Sequence, residues 1–528
     1  MASRSSRTRA RRAADGPTPA ERKADRLLAA GRLTEARAVF EGALRENPKS
    51  IDALRGLARV KLAQRNPVGA EELYRKLIRA RPTDARARGE LGLTLHQLGQ
   101  AEAARNEYER AVALDKTYTR AWLGLADVHE RLHNLEGASR ALERATQLDA
   151  QSPETRLRLA RVKLRAGERD GARALFSELA QDNGESPAAA QALCDLGRLA
   201  DQDGNFDEAA HLLSRGKEMM LAQTRVRSID QHVMPREPRE LFDRVSQEML
   251  ARWAHQRDEI FAQTDAASFP AALVFLMGFP RSGTTLTEQV LAAHPEIEST
   301  DETPMVEQTV AAMETRLPAD LSRAAKLDML TPAQIGKLRN AYSRAASDRA
   351  GSPVAGRVLV DKMPLNTLAL PAICRFFPEA KVLFALRDPR DVAVSCYLRL
   401  GGPEPGATPY LSWSSIARFY DFVMSRYLGF RDRCPLPILE QRYEDIVDDL
   451  PSHAHRLTEW LGLDWDDGML RFHERARFVG SPTYADVAKP VHRGAIGRWR
   501  GYERHMREAL DVLTPYVARF EYETHDTR

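Results

Sequence analysis

The sequence predicts an α solenoid of stacked helix pairs followed by an α/β domain built on a parallel sheet. Three observations carry that expectation. Small residues recur every 34 positions from Ala36 to Ala172, the phase stops after Met220, and beyond it short apolar runs alternate with amphipathic helices.

The repeat comes first. Ala36, Ala70, Ala104, Ala138 and Ala172 share one phase, and four residues after each stands a large apolar group: Phe40, Tyr74, Tyr108, Leu142 and Phe176. A second register agrees, with Leu57-Ala58, Leu91-Gly92, Leu125-Ala126 and Leu159-Ala160, while Pro48 and Pro82 close the first two units. Small residues let helices approach and large ones fill the gaps between them. A lone helix pair cannot bury its apolar face, so stacking supplies the core. The pattern resembles the tetratricopeptide repeat over roughly residues 17–222. Five units keep strict phase, and a sixth, with Leu196-Gly197, Ala209 and Leu213, is shifted by a three-residue insertion. The resemblance implies a concave groove for a peptide or partner chain. A purely structural or self-associating solenoid is the alternative.

Residues 1–16, with Arg4, Arg7, Arg9, Arg11 and Arg12, read as a basic disordered arm. The proline-bearing stretch Gln231 to Pro238 marks a linker over 223–240, and 241–528 reads as the second domain. Within it Ala272–Met277, Val358–Val360, Lys381–Leu386 and Ile438–Leu439 read as buried parallel strands.

Composition narrows the function. A chain of 528 residues, 43% hydrophobic and 29% charged, holds two or three globular domains. A net charge of +4, part of it in the N-terminal arm, does not point to nucleic acid. The first residues lack a signal-peptide core, and the longest strongly apolar run, Ala271–Met277, is too short to span a bilayer. A soluble cytoplasmic protein is expected. Cys194, Cys374, Cys396 and Cys434 are scattered, which suits neither a disulfide framework nor a structural zinc site.

The first strand runs into Gly278-Phe-Pro-Arg281-Ser282-Gly283-Thr284-Thr285 and then a helix. Such a loop aims backbone N–H groups and a positive helix end at an anion. The spacing Gly278 to Gly283 is that of a Walker A loop, but Thr284 stands where a nucleoside triphosphatase has Lys. The segment resembles the 5′-phosphosulfate loop of the sulfotransferase superfamily, with Arg281 supplying the charge. A P-loop kinase or a non-catalytic nucleotide binder is the competing reading.

A second anion site begins at the next long strand. Lys381–Leu386 leads to Arg387, then Asp388 as helix N-cap, Pro389 at the first helical position and Asp391 placed for a capping box. Ser395 and Arg399 share a face of that helix, and Arg387 can converge with them. The spacing Arg, seven residues, Ser resembles the family's 3′-phosphate site, which implies Arg387 and Ser395 as contacts, with Arg399 in support and Arg390 solvated. Near the C-terminus Lys489 to Trp499 resembles the loop that closes over the donor, implying Arg493, Gly494 and Arg498. Tyr443 matches a donor-contacting Tyr of the tyrosylprotein branch, or is a core residue.

The resemblance implies 3′-phosphoadenosine-5′-phosphosulfate as co-substrate, no metal, Glu302 as base and Lys362 as the cation that stabilises the leaving oxygen. Asp301 is the runner-up base, and His294 ends a helix. Thr303 is expected to cap the helix that Pro304 opens. Gly401 to Gly406 reads as a lid or a plain linker. Two arginines that tyrosylprotein enzymes carry after the base are replaced by Pro304 and Gln308. The acceptor expected is a protein or peptide hydroxyl, tyrosine included. A glycan, a small metabolite, or an inactive nucleotide-binding scaffold are the alternatives.

Overall fold

The computed structural model describes residues 18–181, 186–223, 236–399, 409–474 and 490–522. The basic arm, most of Gln231 to Pro238, Gly401 to Gly406 and Lys489 lie outside the described residues. Two compact units divide between Leu196 and Gly197.

In the first unit helices come in antiparallel pairs: α1 (Pro19–Ala29) with α2 (Leu33–Glu46), α3 (Ile51–Ala63) with α4 (Pro67–Ala80), and α5 (Ala85–Gln97) with α6 (Ala101–Leu114). Then follow α7 (Thr119–Arg131) with α8 (Leu135–Leu148), and α9 (Pro153–Arg165) with α10 (Arg169–Gln181). Side chains of Ser50, Asn66, Asp84, Asn134 and Ser152 cap helix starts, each accepting a backbone N–H of the first turn. All five periodic alanines are fully buried, and Phe40, Tyr74, Leu142 and Phe176 with them. Each such large side chain contributes about 1.5–3 kcal/mol of burial. The small positions are small because rings occupy the space: a Cβ on Gly124 would lie 2.3 Å from the Tyr108 ring. Ion pairs link successive repeats, with Asp25 to Arg59 at 3.1 Å and Arg161 to Asp195 at 2.8 Å.

Helix α11 (Pro187–Gln202) crosses the division, and α12 (Phe206–Gln223) belongs to the second unit. This differs from the expected boundary at 223–240, and the reason is packing. Phe206 meets Tyr502 edge-on at 5.4 Å, and buried Lys217 donates to the Tyr410 carbonyl at 2.5 Å.

Helices α13 (Arg236–Arg244), α14 (Gln247–His255) and α15 (Arg257–Ala262) precede the sheet. Next come β1 (Ala272–Gly278), α16 (Thr284–Ala292), β2 (Ile297–Ser299), α17 (Met305–Glu314), α18 (Arg323–Met329), α19 (Pro332–Ala350) and β3 (Val358–Lys362). Then α20 (Leu370–Phe376), β4 (Lys381–Leu386), α21 (Pro389–Tyr397), α22 (Trp413–Arg431), β5 (Ile438–Arg442), α23 (Tyr443–Asp448), α24 (Leu450–Leu461) and α25 (Arg507–Arg519) complete the unit.

All strand pairings are parallel, in the order β2-β3-β1-β4-β5. The four predicted strands are present, and β2, which lies inside a stretch read as loop, joins them. Chain direction across the sheet reverses around β1, so the carboxyl ends of β1, β3 and β4 border the crevice where such sheets take ligands. Among the described residues no helix is long and apolar enough to cross a membrane.

Candidate functional site

The loop after β1 turns on two unusual backbone positions. Arg281 has φ +75° and Gly283 φ +92°. A Cβ on Gly283 would sit 2.6 Å from the Tyr443 ring, so glycine is required both by conformation and by space. Ser282, Thr284 and Thr285 are buried beside it, and α16 starts at Thr284 with its first N–H groups at the loop.

Three predicted residues from different elements meet here. Arg281 donates from Nε to Ser395 Oγ at 3.0 Å. Arg387, at the end of β4, donates to the Arg281 carbonyl at 3.0 Å and to the Ala495 carbonyl at 2.5 Å. Its guanidinium carbon lies 4.8 Å from the centre of the Tyr443 ring, and its buried Nε has no hydrogen-bond partner among the described residues. A charged donor buried without a partner is costly. An anion in the crevice would satisfy it. Because Ser395 accepts from Arg281, its own O–H remains available to the same anion.

Of the other predicted contacts, Arg399, Arg493 and Arg498 are held by partners of their own. Helix α21 ends at Tyr397, so Arg399 falls past its C-cap and lies over the Tyr410 ring at 5.3 Å instead of sharing a face with Ser395. Arg493 pairs with Asp448 at 3.0 Å and stays 72% exposed, with Gly494 in the same short 3-10 turn. Arg498 pairs with buried Asp201. Arg390 is buried rather than solvated: it grips Asp388 with two hydrogen bonds and lies 3.9 Å over the Trp499 ring. Asp388 caps α21 as expected, but Asp391 does not complete a capping box. It is 1% exposed and accepts the N–H of Gly497 at 2.6 Å and of Trp499 at 2.8 Å.

A second cluster forms at the end of β3. Lys362 is the last residue of that strand and is fully buried. Its Nζ meets Asp301 at 2.8 Å, Glu302 at 3.1 Å and Glu288 of α16 at 3.1 Å. Burial disfavours the ammonium, but the three carboxylates, Glu288 foremost, outweigh it and hold the pKa above the ordinary lysine value. Burial conversely pushes the Glu288 carboxyl up, against the pull of Lys362 and of the Ser299 hydroxyl that donates to it.

Glu302 is the most exposed of the three, at 42%, and the freest to turn to solvent. Its loop is braced by Arg349, which donates to the Thr300 carbonyl and the Thr303 hydroxyl. Thr303 itself donates to Thr300 and does not cap α17, whose N-cap is Pro304. His294 is buried, bonded to the Asp464 carbonyl at 2.9 Å.

Glu288 escaped the sequence reading. Its only signal is an acid between Thr287 and Gln289 on a helix that leads from a phosphate-type loop.

Residues 273–467 match the family model described as Sulfotransferase family. Stretches 27–91, 95–154 and 133–194 match that of the Tetratricopeptide repeat. An uncharacterised protein of Aquifex aeolicus is 26% identical over 249 residues, 46% of this chain and 32% of that protein. The chain thus spans about a third of that relative's length. Protein-tyrosine sulfotransferase 2 of Gallus gallus is 26% identical over 273 residues, 48% of this chain and 69% of its own. A solved pilF structure from Pseudomonas aeruginosa is 24% identical, covering 38% of this chain and 90% of that one, with a TM-score of 0.33.

Proposed function

With residues 273–467 belonging to the sulfotransferase family and tetratricopeptide repeats preceding them, we propose that the protein transfers a sulfuryl group from 3′-phosphoadenosine-5′-phosphosulfate to an acceptor hydroxyl on a protein or peptide, tyrosine included. The observation that carries this reading is the convergence of Arg281, Ser395 and Arg387, with the Arg387 Nε buried and unpartnered among the described residues.

These residues fit a doubly anionic nucleotide. Arg387 and Ser395 take the 3′-phosphate, and Arg281 and the first turn of α16 take the 5′ side. The bound donor supplies the sulfuryl group. Glu302 takes the acceptor's proton at its carboxylate, and Lys362, held charged by its carboxylates, places positive charge beside the leaving oxygen. Lys362 hydrogen-bonds Asp301 and Glu302 and pairs with Glu288 at 3.1 Å, so it turns to the leaving oxygen most readily when one carboxylate lets go. Glu302 is that one by exposure. Its release both frees an N–H of Lys362 and exposes the base. The repeats supply a groove for the protein acceptor, and the reaction takes place in the cytoplasm.

Calorimetric titration in EDTA with 3′,5′-adenosine bisphosphate and, separately, ATP tests the donor. Binding of the bisphosphate only, weakened more than about tenfold by Arg387→Ala, is the expected result. No bisphosphate binding, or a preference for ATP, overturns the reading.

A further inference from the structure

The segment from Ala495 to Tyr502 has little regular structure to hold it: it consists of short 3-10 turns around Gly497, which has φ +71°. Yet its Ala495 carbonyl is one of two backbone oxygens that fix the Arg387 guanidinium, at 2.5 Å. What places this segment therefore also places Arg387. Two buried carboxylates grip it from opposite partners. Asp391, on α21, takes the N–H groups of Gly497 and Trp499. Asp201, near the end of α11 and 6% exposed, takes the Arg498 guanidinium on one oxygen and the Tyr502 hydroxyl on the other, the latter at 2.7 Å.

The grip of Asp201 is of the strong kind. Both its oxygens are used, one by a charged donor, and the burial of Asp201 limits screening by water and salt although the Arg498 side chain stays 33% exposed. A second contact from the same region differs in kind. Asp207, at the start of α12, pairs with Arg504 and His505 but is 57% exposed, and exposed pairs contribute little. Phe206 packs on the Tyr502 ring between them.

We infer that Asp201 is a positioning residue of the donor site: by holding Arg498 and Tyr502 it fixes the 495–499 segment, and through Ala495 it fixes Arg387. Arg498 in this arrangement anchors the closing segment instead of touching the nucleotide. The inference rests on the donor reading above, and it assigns a residue outside the sulfotransferase-family match a part in nucleotide affinity. By linkage the effect is mutual, so nucleotide binding tightens the same segment.

The test uses the full chain and 3′,5′-adenosine bisphosphate as probe. Asp201→Asn is expected to weaken its calorimetric Kd about tenfold, the loss of one charge-assisted hydrogen bond, while Asp207→Asn changes it less than about twofold. Hydrogen exchange read on peptides covering 495–502 should quicken in Asp201→Asn and slow in the wild type when bisphosphate is added. Should Asp201→Asn melt without a cooperative transition, Tyr502→Phe decides, since it removes one contact and keeps the ring; about threefold weaker binding is expected. Wild-type affinity in a folded Asp201→Asn or in Tyr502→Phe overturns the inference. Absence of bisphosphate binding by the wild type sinks the donor reading itself, a distinguishable result.

Discussion

Asp361 stands beside Lys362 on β3 with its side chain on the other face of the sheet. It is fully buried, accepts from the Tyr342 hydroxyl at 2.6 Å and from Asn366 Nδ2 at 3.2 Å, and has no cation on it among the described residues. Burial pushes its pKa from 3.8 to about 7, against the two hydrogen bonds. A carboxyl whose folded pKa is raised is at no disadvantage below its unfolded pKa; its cost grows as pH rises from the unfolded to the folded value and is complete above the latter. The gap is about three pH units at about 1.4 kcal/mol each, so the ionised carboxylate costs the fold about 4 kcal/mol at pH 8. Asp361→Asn keeps the shape and an acceptor for Tyr342 but cannot ionise. Urea denaturation of both chains at pH 4 and pH 8 should show near-equal stability at the lower pH and an Asn variant several kcal/mol more stable at the higher. An Asn variant no more stable than wild type at pH 8 would refute the reasoning, because it would mean the carboxylate is solvated or compensated.

Two further substitutions probe the two clusters. Gly283→Ala places a Cβ in a left-handed backbone and against the Tyr443 ring, so bisphosphate affinity should fall at least about tenfold by calorimetry. Lys362→Met strands the buried Glu288 without a cation and should cost about 3–5 kcal/mol in denaturation at neutral pH. Adding Glu288→Gln to that variant should restore part of the loss, since Asp301 and Glu302 can turn to water and Glu288 cannot; a double variant as unstable as Lys362→Met would place the strain elsewhere.

The features legible in the sequence are those written within one element or one repeat. Ala36 to Ala172 and their apolar partners are buried because the 34-residue phase is itself the packing rule. The loop from Gly278 to Thr285 and the Arg387, Ser395 spacing are local in the same sense. Misreadings arise where a side chain is claimed by a partner far along the chain. Asp391 has the spacing of a capping box, but the N–H groups of Gly497 and Trp499 take it. Arg390 looks like a surface residue until Asp388 and Trp499 enclose it. Arg498 falls on a motif position and is held by Asp201, nearly three hundred residues earlier. Glu288 is visible as a site residue only once β3 brings Lys362 beneath α16. Strand β2 is three residues long and borrows its order from β3, so no periodicity announces it.

The strand order has a consequence for how the chain is made. The first strand synthesised, β1, is the middle of the sheet, and its neighbours β3 and β4 lie on the order of a hundred residues downstream, with β5 later still. Each helical repeat, by contrast, is complete once the next has emerged. At about 5–20 residues per second, the repeats stand finished outside the ribosome for roughly 10–50 s before Arg442 leaves it. Within that interval the apolar run Leu273–Met277 waits roughly 4–17 s before β3 can pair with it. Slowing translation or withholding chaperones should therefore cost yield of the α/β unit before it costs the repeats.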